Sequence, residues 1–598
     1  MNRRSFLRGA AWAATLTGLA ACGGAVTPAA PAATTAPKPT DAPQATTAPA
    51  ATEAATEAPK PTEAPQPTEA PKATEAPTTA ERVLHLNSPS FYGDPGGGTD
   101  PGCSGGGHTI FANKLMFSSL TYFDAKMQPQ PDCAESWTHN DDSSIWTFKL
   151  RKDLKWNNGT PITAKDFEWT IKRNASPDIS CGGGIIYMLD AIKGVTDYAG
   201  KKNSDPNSVG VKALDDYTLQ FTLNGPAGYF PIMVEYPTYA PLPQQPIKDF
   251  GKDTQWTQPE HVISNGPYKL VEWVRDQRMT YVPNEYWHGY ANTKPGVDKI
   301  VVNMIKNQTT AVAAYETGEL DVIEVPTGEL DRINKDPELS KQMTTYADLL
   351  TQYLQIRPGT KPFDDIRVRH ALAIAIDREA IAKVLNNSVT PAYQILAPGM
   401  LGHDDQLIPE MMYNPDNARK ALADAGFPGG KGFPKFWINS NHTDDYQAMF
   451  EALASMYKDV LGIEMELALL DPAARGAWTD QKPYRPHLWR ERWGMDFPDS
   501  HNTMNFMASK SKAKSEPHPE YNWHDAKFEE VITQAGREAD SAKRAELYKQ
   551  ADRICCWENP IIIPIYYAIA HVMVKPRVQN VWVIPIDGTT YRNVTVTD

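Results

Sequence analysis

Positive charge is in short supply in this chain of 598 residues. It carries 59 Lys and Arg against 72 Asp and Glu, a formal net charge of −13. A surface of that sign argues against nucleic acid as a partner, since phosphate recognition needs a clustered basic face. Cysteine is scarce as well, at six residues, so the chain is no disulfide-stapled miniprotein. From Thr27 to Thr79 Leu, Ile, Val, Met, Phe, Tyr and Trp are all missing, and a segment without them cannot bury a core. The apolar run Ala10 to Ala21 falls short of the roughly 20 residues that a spanning helix needs.

That run belongs to an export signal. Arg3-Arg4-Ser5-Phe6-Leu7-Arg8 has the twin-arginine pattern, and Leu19-Ala20-Ala21-Cys22 has the form of a lipoprotein cleavage site. Residues 1–22 are therefore expected to be a signal peptide ending at a lipidated Cys22, with the mature chain outside the cytoplasm and held at the membrane by its acyl chains. Residues 23–82 read as a tether. The repeat Thr62-Glu63-Ala64-Pro65, Thr68-Glu69-Ala70-Pro71, Thr74-Glu75-Ala76-Pro77 favours an extended polyproline-like stalk that carries a globular body away from the membrane.

The body, from Val83 to Asp598, exceeds what one compact core accommodates, so at least two lobes are expected. Its elements alternate. Val83-Leu84-His85-Leu86 and Trp146-Thr147-Phe148-Lys149-Leu150 read as strands. Thr163 reads as the N-cap of a helix reaching Arg173, and Asp377 as the start of another through Leu385. One long helix is expected from Lys527 to Glu558, followed by a strand Ile561–Tyr567. The class is mixed α/β.

Catalytic motifs do not survive inspection. Gly102-Cys103-Ser104-Gly105-Gly106 matches the G-x-S-x-G elbow, but Asp94-Pro95-Gly96-Gly97-Gly98-Thr99-Asp100-Pro101 before it cannot be the strand that an elbow requires. Cys555 and Cys556 are adjacent, without the C-x-x-C spacing of redox or zinc sites, and His501, His518 and His524 are scattered among loop residues. No metal site, cofactor or enzymatic activity is expected; a secreted hydrolase is the alternative from another class. Of Cys103, Cys133, Cys181, Cys555 and Cys556, any disulfide is expected within the first three, because a bond from them to the last pair would tie the lobes together.

A series of blocks resembles one family in order and number. They include Ala134-Glu135-Ser136-Trp137, Trp156-Asn157-Asn158-Gly159-Thr160-Pro161-Ile162-Thr163-Ala164-Lys165-Asp166-Phe167, Asn265-Gly266-Pro267-Tyr268, Gly318-Glu319-Leu320-Asp321, Pro362-Phe363-Asp364-Asp365-Ile366-Arg367-Val368-Arg369-His370-Ala371-Leu372, and Trp493-Gly494-Met495-Asp496-Phe497. This is similar to the family 5 extracellular solute-binding proteins, the oligopeptide and dipeptide receptors of ABC importers.

The resemblance implies a two-lobed, periplasmic-binding-protein-like (type II) α/β fold with an extra subdomain in lobe I. It places lobe I at 83–346, its subdomain at about 121–262, lobe II at 347–565 and a C-terminal return at 566–598. The two crossings would fall near Ala347–Gln352 and Pro564–Ile569. It implies a monomer that captures an oligopeptide by lobe closure and delivers it to a membrane permease, with an oligosaccharide as the alternative ligand. Carried over by motif, Asp496 would meet a peptide's α-ammonium and Trp493 would line a side-chain pocket. Gly494, in the same motif, and Arg490, three residues before Trp493, are counted with them as ligand-binding. The stretch Ile438 to Tyr446 has no arginine where dipeptide-specific members have a carboxylate clamp, which argues against a strict dipeptide receptor.

Overall fold

The computed structural model describes residues 81–88, 99–103, 107–179, 186–291, 296–441, 444–470, 488–507, 523–586 and 588–597. The signal, the stalk up to residue 80, Ser104 to Gly106 of the glycine-rich run, Cys181 and His518 lie outside them.

Among the described residues eleven strands join in one mixed sheet. Its order runs Met465–Leu470, Phe436–Asn441, Leu488–Gly494, Met343–Ile356, Ile562–Val574, Val322–Glu324, Val83–Asn87, Lys299–Asn303, Arg278–Pro283, Tyr268–Val274, with Val389–Pro391 added against Ile562–Val574. The central pair is unusually long, 14 and 13 residues, which at ~3.3 Å per residue spans more than 40 Å. These two strands run antiparallel, and their register slips between Ala347 and Thr351. Beyond the slip, Leu350 to Ile356 pair with Leu488–Gly494 on one side. Before it, Val572 to Val574 pair with Val322–Glu324 on the other. One strand pair thus serves two halves of the sheet.

The apolar residues sort into separate cores rather than one, as the length requires. One is built from residues between Leu349 and Tyr567. A second gathers Ile110 to Tyr239 around the four-stranded sheet of Ala134–His139, Ile145–Leu150, Thr218–Thr222 and Val211–Asp215, and it takes in Phe497 from far along the chain. A third joins Leu84, the segment Ala240 to Met304 and the C-terminal Val572 to Val596. The tail is pinned by charge as well: the buried Asp132 carboxylate accepts from Arg592 Nη1 at 2.7 Å. Arg592 and His288 together hold Asp132 well below the usual carboxylate range against the cost of its burial.

Local signals act as the sequence suggests. Asp166 accepts from the Thr163 backbone N–H at 2.9 Å, opening the helix Ala164–Asn174 with a capping box. Asp377 accepts from the Ala380 N–H at 3.0 Å and opens Arg378–Val384. Trp156 is buried in the second core, a packing residue.

The single helix expected from Lys527 to Glu558 is instead two helices, Ala526–Arg537 and Ser541–Arg553, followed by a π-helical turn Ile554–Glu558. Glu538 is extended (ψ 120°), and Asp540 accepts from the N–H groups of Ala542 and Lys543, so a side-chain cap outcompetes helix continuation. The strand after it reaches Val574 rather than Tyr567. Cys103 is disulfide-bonded, whereas Cys133, Cys555 and Cys556 are buried free thiols.

Candidate functional site

The strand Leu488–Gly494 lies beside Met343–Ile356, placing Leu354 opposite Arg490, Thr351 opposite Trp493 and Leu350 opposite Gly494. The chain then bends and enters the helix His501–Met507, whose first N–H is met by Asp499 Oδ1 at 2.9 Å. That return turns Asn502 back onto the bend. Its Oδ1 accepts from the Trp493 indole N–H at 2.9 Å and the Asp496 backbone N–H at 3.2 Å, and its Nδ2 donates to Asp496 Oδ2 at 3.0 Å. One buried amide therefore fixes the indole and the carboxylate together.

The opposite wall comes from the core built on residues 110–239. Tyr187 donates its hydroxyl to Asp496 Oδ2 at 3.0 Å, and its ring meets Trp493 edge-on with centroids 6.3 Å apart. Burial and the adjacent Asp496 charge push the Tyr187 hydroxyl far above its ordinary value, so it remains a donor. Tyr229 stacks on Phe497 at 6.0 Å and an interplanar angle of 5°, and on His501 at 5.0 Å. Asn505 Nδ2 donates to Asp190 Oδ2 at 3.3 Å. Between these walls lies a pocket lined by Tyr187, Asp190, Tyr229 and Met233 on one side and Phe497, His501, Asn502 and Asn505 on the other. Burial lowers the His501 imidazole to about 4, with Asp499 opposing and Arg544 assisting the shift.

Asp496 is 9 % exposed. A carboxylate so enclosed, among neutral donors and aromatic rings, is suited to receive a cation that sheds its water. Gly494 is partly buried, and a Cβ there would stand 3.5 Å from Leu350 Cδ1, an ordinary contact, so local packing does not demand glycine. Arg490 is buried farther along the strand. Its Nη1 donates to Tyr446 Oη at 3.2 Å and Gln352 Oε1 at 3.3 Å, and its guanidinium lies 4.3 Å from the Tyr446 ring centroid. An arginine thus abuts the end of the stretch that has none of its own, delivered from the neighbouring strand.

The chain matches the family model for bacterial extracellular solute-binding proteins, family 5, over residues 128–515. This protein belongs to that family. It is 31 % identical over 478 residues to the periplasmic oligopeptide-binding protein OppA of Salmonella typhimurium, covering 77 % of this chain and 83 % of the relative. It is 29 % identical over 472 residues to the probable deoxycholate-binding periplasmic protein YgiS of Escherichia coli, covering 77 % and 84 %. Among solved structures, a periplasmic oligopeptide-binding protein of Borrelia burgdorferi superposes with a TM-score of 0.74 at 24 % identity, over 86 % of this chain and all of that one. The fold is the two-lobed type II binding-protein fold, and the family 5 chain is a solute-binding receptor rather than an enzyme.

The motif singles out Trp493 and Asp496, and the structure brings the two together on Asn502. The motif misses Tyr187, Asn502 and Tyr229. Asn502 lies six residues past Asp496, close enough to be suspected as a turn residue. Tyr187 is 309 residues away, and nothing in the linear pattern pairs it with Asp496.

Proposed function

We propose that this receptor captures oligopeptides between its lobes and delivers them to an ABC permease, tethered outside the cytoplasm by a lipidated Cys22 and the 23–82 stalk. Lobe I comprises 83–346 with its subdomain at about 121–262, lobe II comprises 347–565, and 566–598 returns to lobe I. The observation that carries the ligand class is the enclosed Asp496 carboxylate, oriented by Asn502 from its own side and reached by the Tyr187 hydroxyl from the other. A peptide's α-ammonium exchanges its water for that carboxylate, and Trp493 lines the adjoining side-chain pocket. Arg490 and Gly494 complete the wall of the same strand. Because Tyr187 and Asp496 lie on opposite walls, a ligand that engages both favours the closed form by its differential affinity for that form. Isothermal titration calorimetry with free and N-acetylated peptides, beside oligosaccharides and a bile acid, tests the reading. Free peptides are expected to bind and acetylated ones poorly; binding of sugars or bile acid alone would replace the peptide assignment while leaving the receptor fold intact.

A further inference from the structure

The largest core holds a polar cluster that ligand capture does not use. Asp552, Cys555 and Cys556 are each 0 % exposed, and one ligand atom from each lies within 4.8 Å of the others. The π-helical turn Ile554–Glu558 brings the adjacent cysteines together, with Sγ atoms 4.0 Å apart. Turns of this kind recur at functional sites in helices. The Cys556 thiol donates to Asp552 Oδ1 at 3.1 Å, while the Asp552 carboxylate also accepts from the Ile395 N–H at 3.1 Å and the Leu396 N–H at 3.0 Å. The sequence spacing Asp-x-x-Cys-Cys hides this group, because the pair lacks an intervening turn in the linear pattern and is aligned only by the wider π geometry.

A buried cation lies in the same core. Arg378 is 1 % exposed and has no ion-pair partner among the described residues. Its Nε donates to the Pro564 carbonyl at 2.8 Å and its Nη1 reaches the carbonyls of Ala373, Ile376 and Met411, while Nη2 has no hydrogen-bond partner. Its guanidinium carbon lies 5.2 Å from the Tyr393 ring centroid, and burial lowers it to about 10. A buried guanidinium favours negative charge in the same core.

We propose that Cys555 and Cys556 form a binding site for a soft monovalent cation, copper(I), with Asp552 positioning the Cys556 sulfur and Arg378 balancing the charge. The Cys556 proton passes along its hydrogen bond to Asp552 and the Cys555 proton leaves to solvent as two metal–sulfur bonds form; the bis-thiolate complex carries −1, which the guanidinium offsets, the protonated Asp552 donates back to the Cys556 sulfur, and the metal's oxidation state does not change. Metal–sulfur bonds of about 2.3 Å separate two sulfurs by about 3.8 Å in a tetrahedral site and about 4.6 Å in a linear one, so a two-coordinate ion draws the sulfurs somewhat apart from the 4.0 Å found here. Thiolates select copper(I) and zinc. Zinc takes four ligands, and the described cluster offers three, one of them already holding two backbone N–H groups; copper(I) is satisfied by two. The metal enters as the chain folds or during opening, because every ligand is fully buried.

Anaerobic titration of the reduced full-length protein with copper(I), in competition with bicinchoninate, tests this. One copper(I) per chain is expected, lost in both Cys555→Ala and Cys556→Ala and retained in Cys133→Ala, which removes another buried free thiol. Copper(I) is also expected to raise the thermal midpoint of the unaltered protein, since it binds the folded state. That second readout stands even if a variant fails to fold. Absence of stoichiometric binding, binding kept by either cysteine variant, an unchanged midpoint, or a zinc isotherm without a copper(I) one would each overturn the proposal.

Discussion

Replacing Asp496 by alanine is the sharpest test of the peptide-binding reading. In the structure this carboxylate is enclosed, 9 % exposed, and its Oδ2 receives one hydrogen bond from Asn502 and one from Tyr187, both at 3.0 Å. On the proposed reading, a bound ammonium meets this carboxylate. Deleting the carboxylate leaves the ammonium desolvated without a partner, and it strands the Asn502 amide and the Tyr187 hydroxyl. Breaking a desolvated charge pair from one side costs about 3–5 kcal/mol, so peptide affinity is expected to fall at least about a hundredfold. Asp496→Asn keeps the size of the side chain and removes only the charge; it is expected to lose most of the same affinity, and N-acetylation of the peptide should have little further effect in that variant. Calorimetry on both variants with free and acetylated forms of one peptide completes a double-mutant cycle. Independent effects, with acetylation as costly in Asp496→Asn as in the unaltered protein, would refute the contact. Retained affinity in Asp496→Ala would refute the role altogether.

Asn502→Ala releases Trp493 and Asp496 together; a roughly tenfold loss of peptide affinity is expected, from hydrogen bonds worth about 1–2 kcal/mol, together with a lowered thermal midpoint, because the amide is buried and its partners are left unsatisfied. His501 sets a pH dependence. Its folded value of about 4 lies below the ordinary 6.5, so the unfolded chain takes the proton first and stability is lost as pH falls from about 6.5 toward 4, by up to about 3 kcal/mol. Asp552, raised to about 6 by burial, acts oppositely and adds stability as pH falls through 6 toward 3.8, so denaturant titrations of His501→Phe against the unaltered protein isolate the histidine as the difference. Cys22→Ser is expected to abolish acyl labelling of the membrane fraction; unchanged labelling would exclude lipidation at this position. Deleting residues 27–80 from a soluble form should leave peptide affinity and thermal midpoint unaltered, and a clear loss of either would show that the tether docks onto the body.

Much of this protein is local in origin and was legible in the chain. The caps at Thr163 and Asp377 lie within three residues of the N–H groups or side chains they meet, and alternating apolar residues in Ile145–Leu150 state which face is buried. Hydrogen bonding over so short a span is decided by the residues themselves. The break at Glu538–Asp540 is masked in the linear pattern because two physical signals compete there: apolar periodicity continues across a point where an aspartate caps a new helix. The site divides along the same line. Trp493, Gly494 and Asp496 share one strand and bend, so a motif can carry them. Tyr187, Tyr229 and Arg378 gain their surroundings only when distant segments pack. The hydroxyl that reaches Asp496 crosses from another core, and the Arg378 guanidinium meets the Pro564 carbonyl, 186 residues away, only within the assembled lobe. Composition and periodicity determine which elements form and which faces they bury; the juxtaposition of charges across a cleft is decided by the tertiary structure, because electrostatic and hydrogen-bonding partners are chosen by distance in space, which the linear order does not encode.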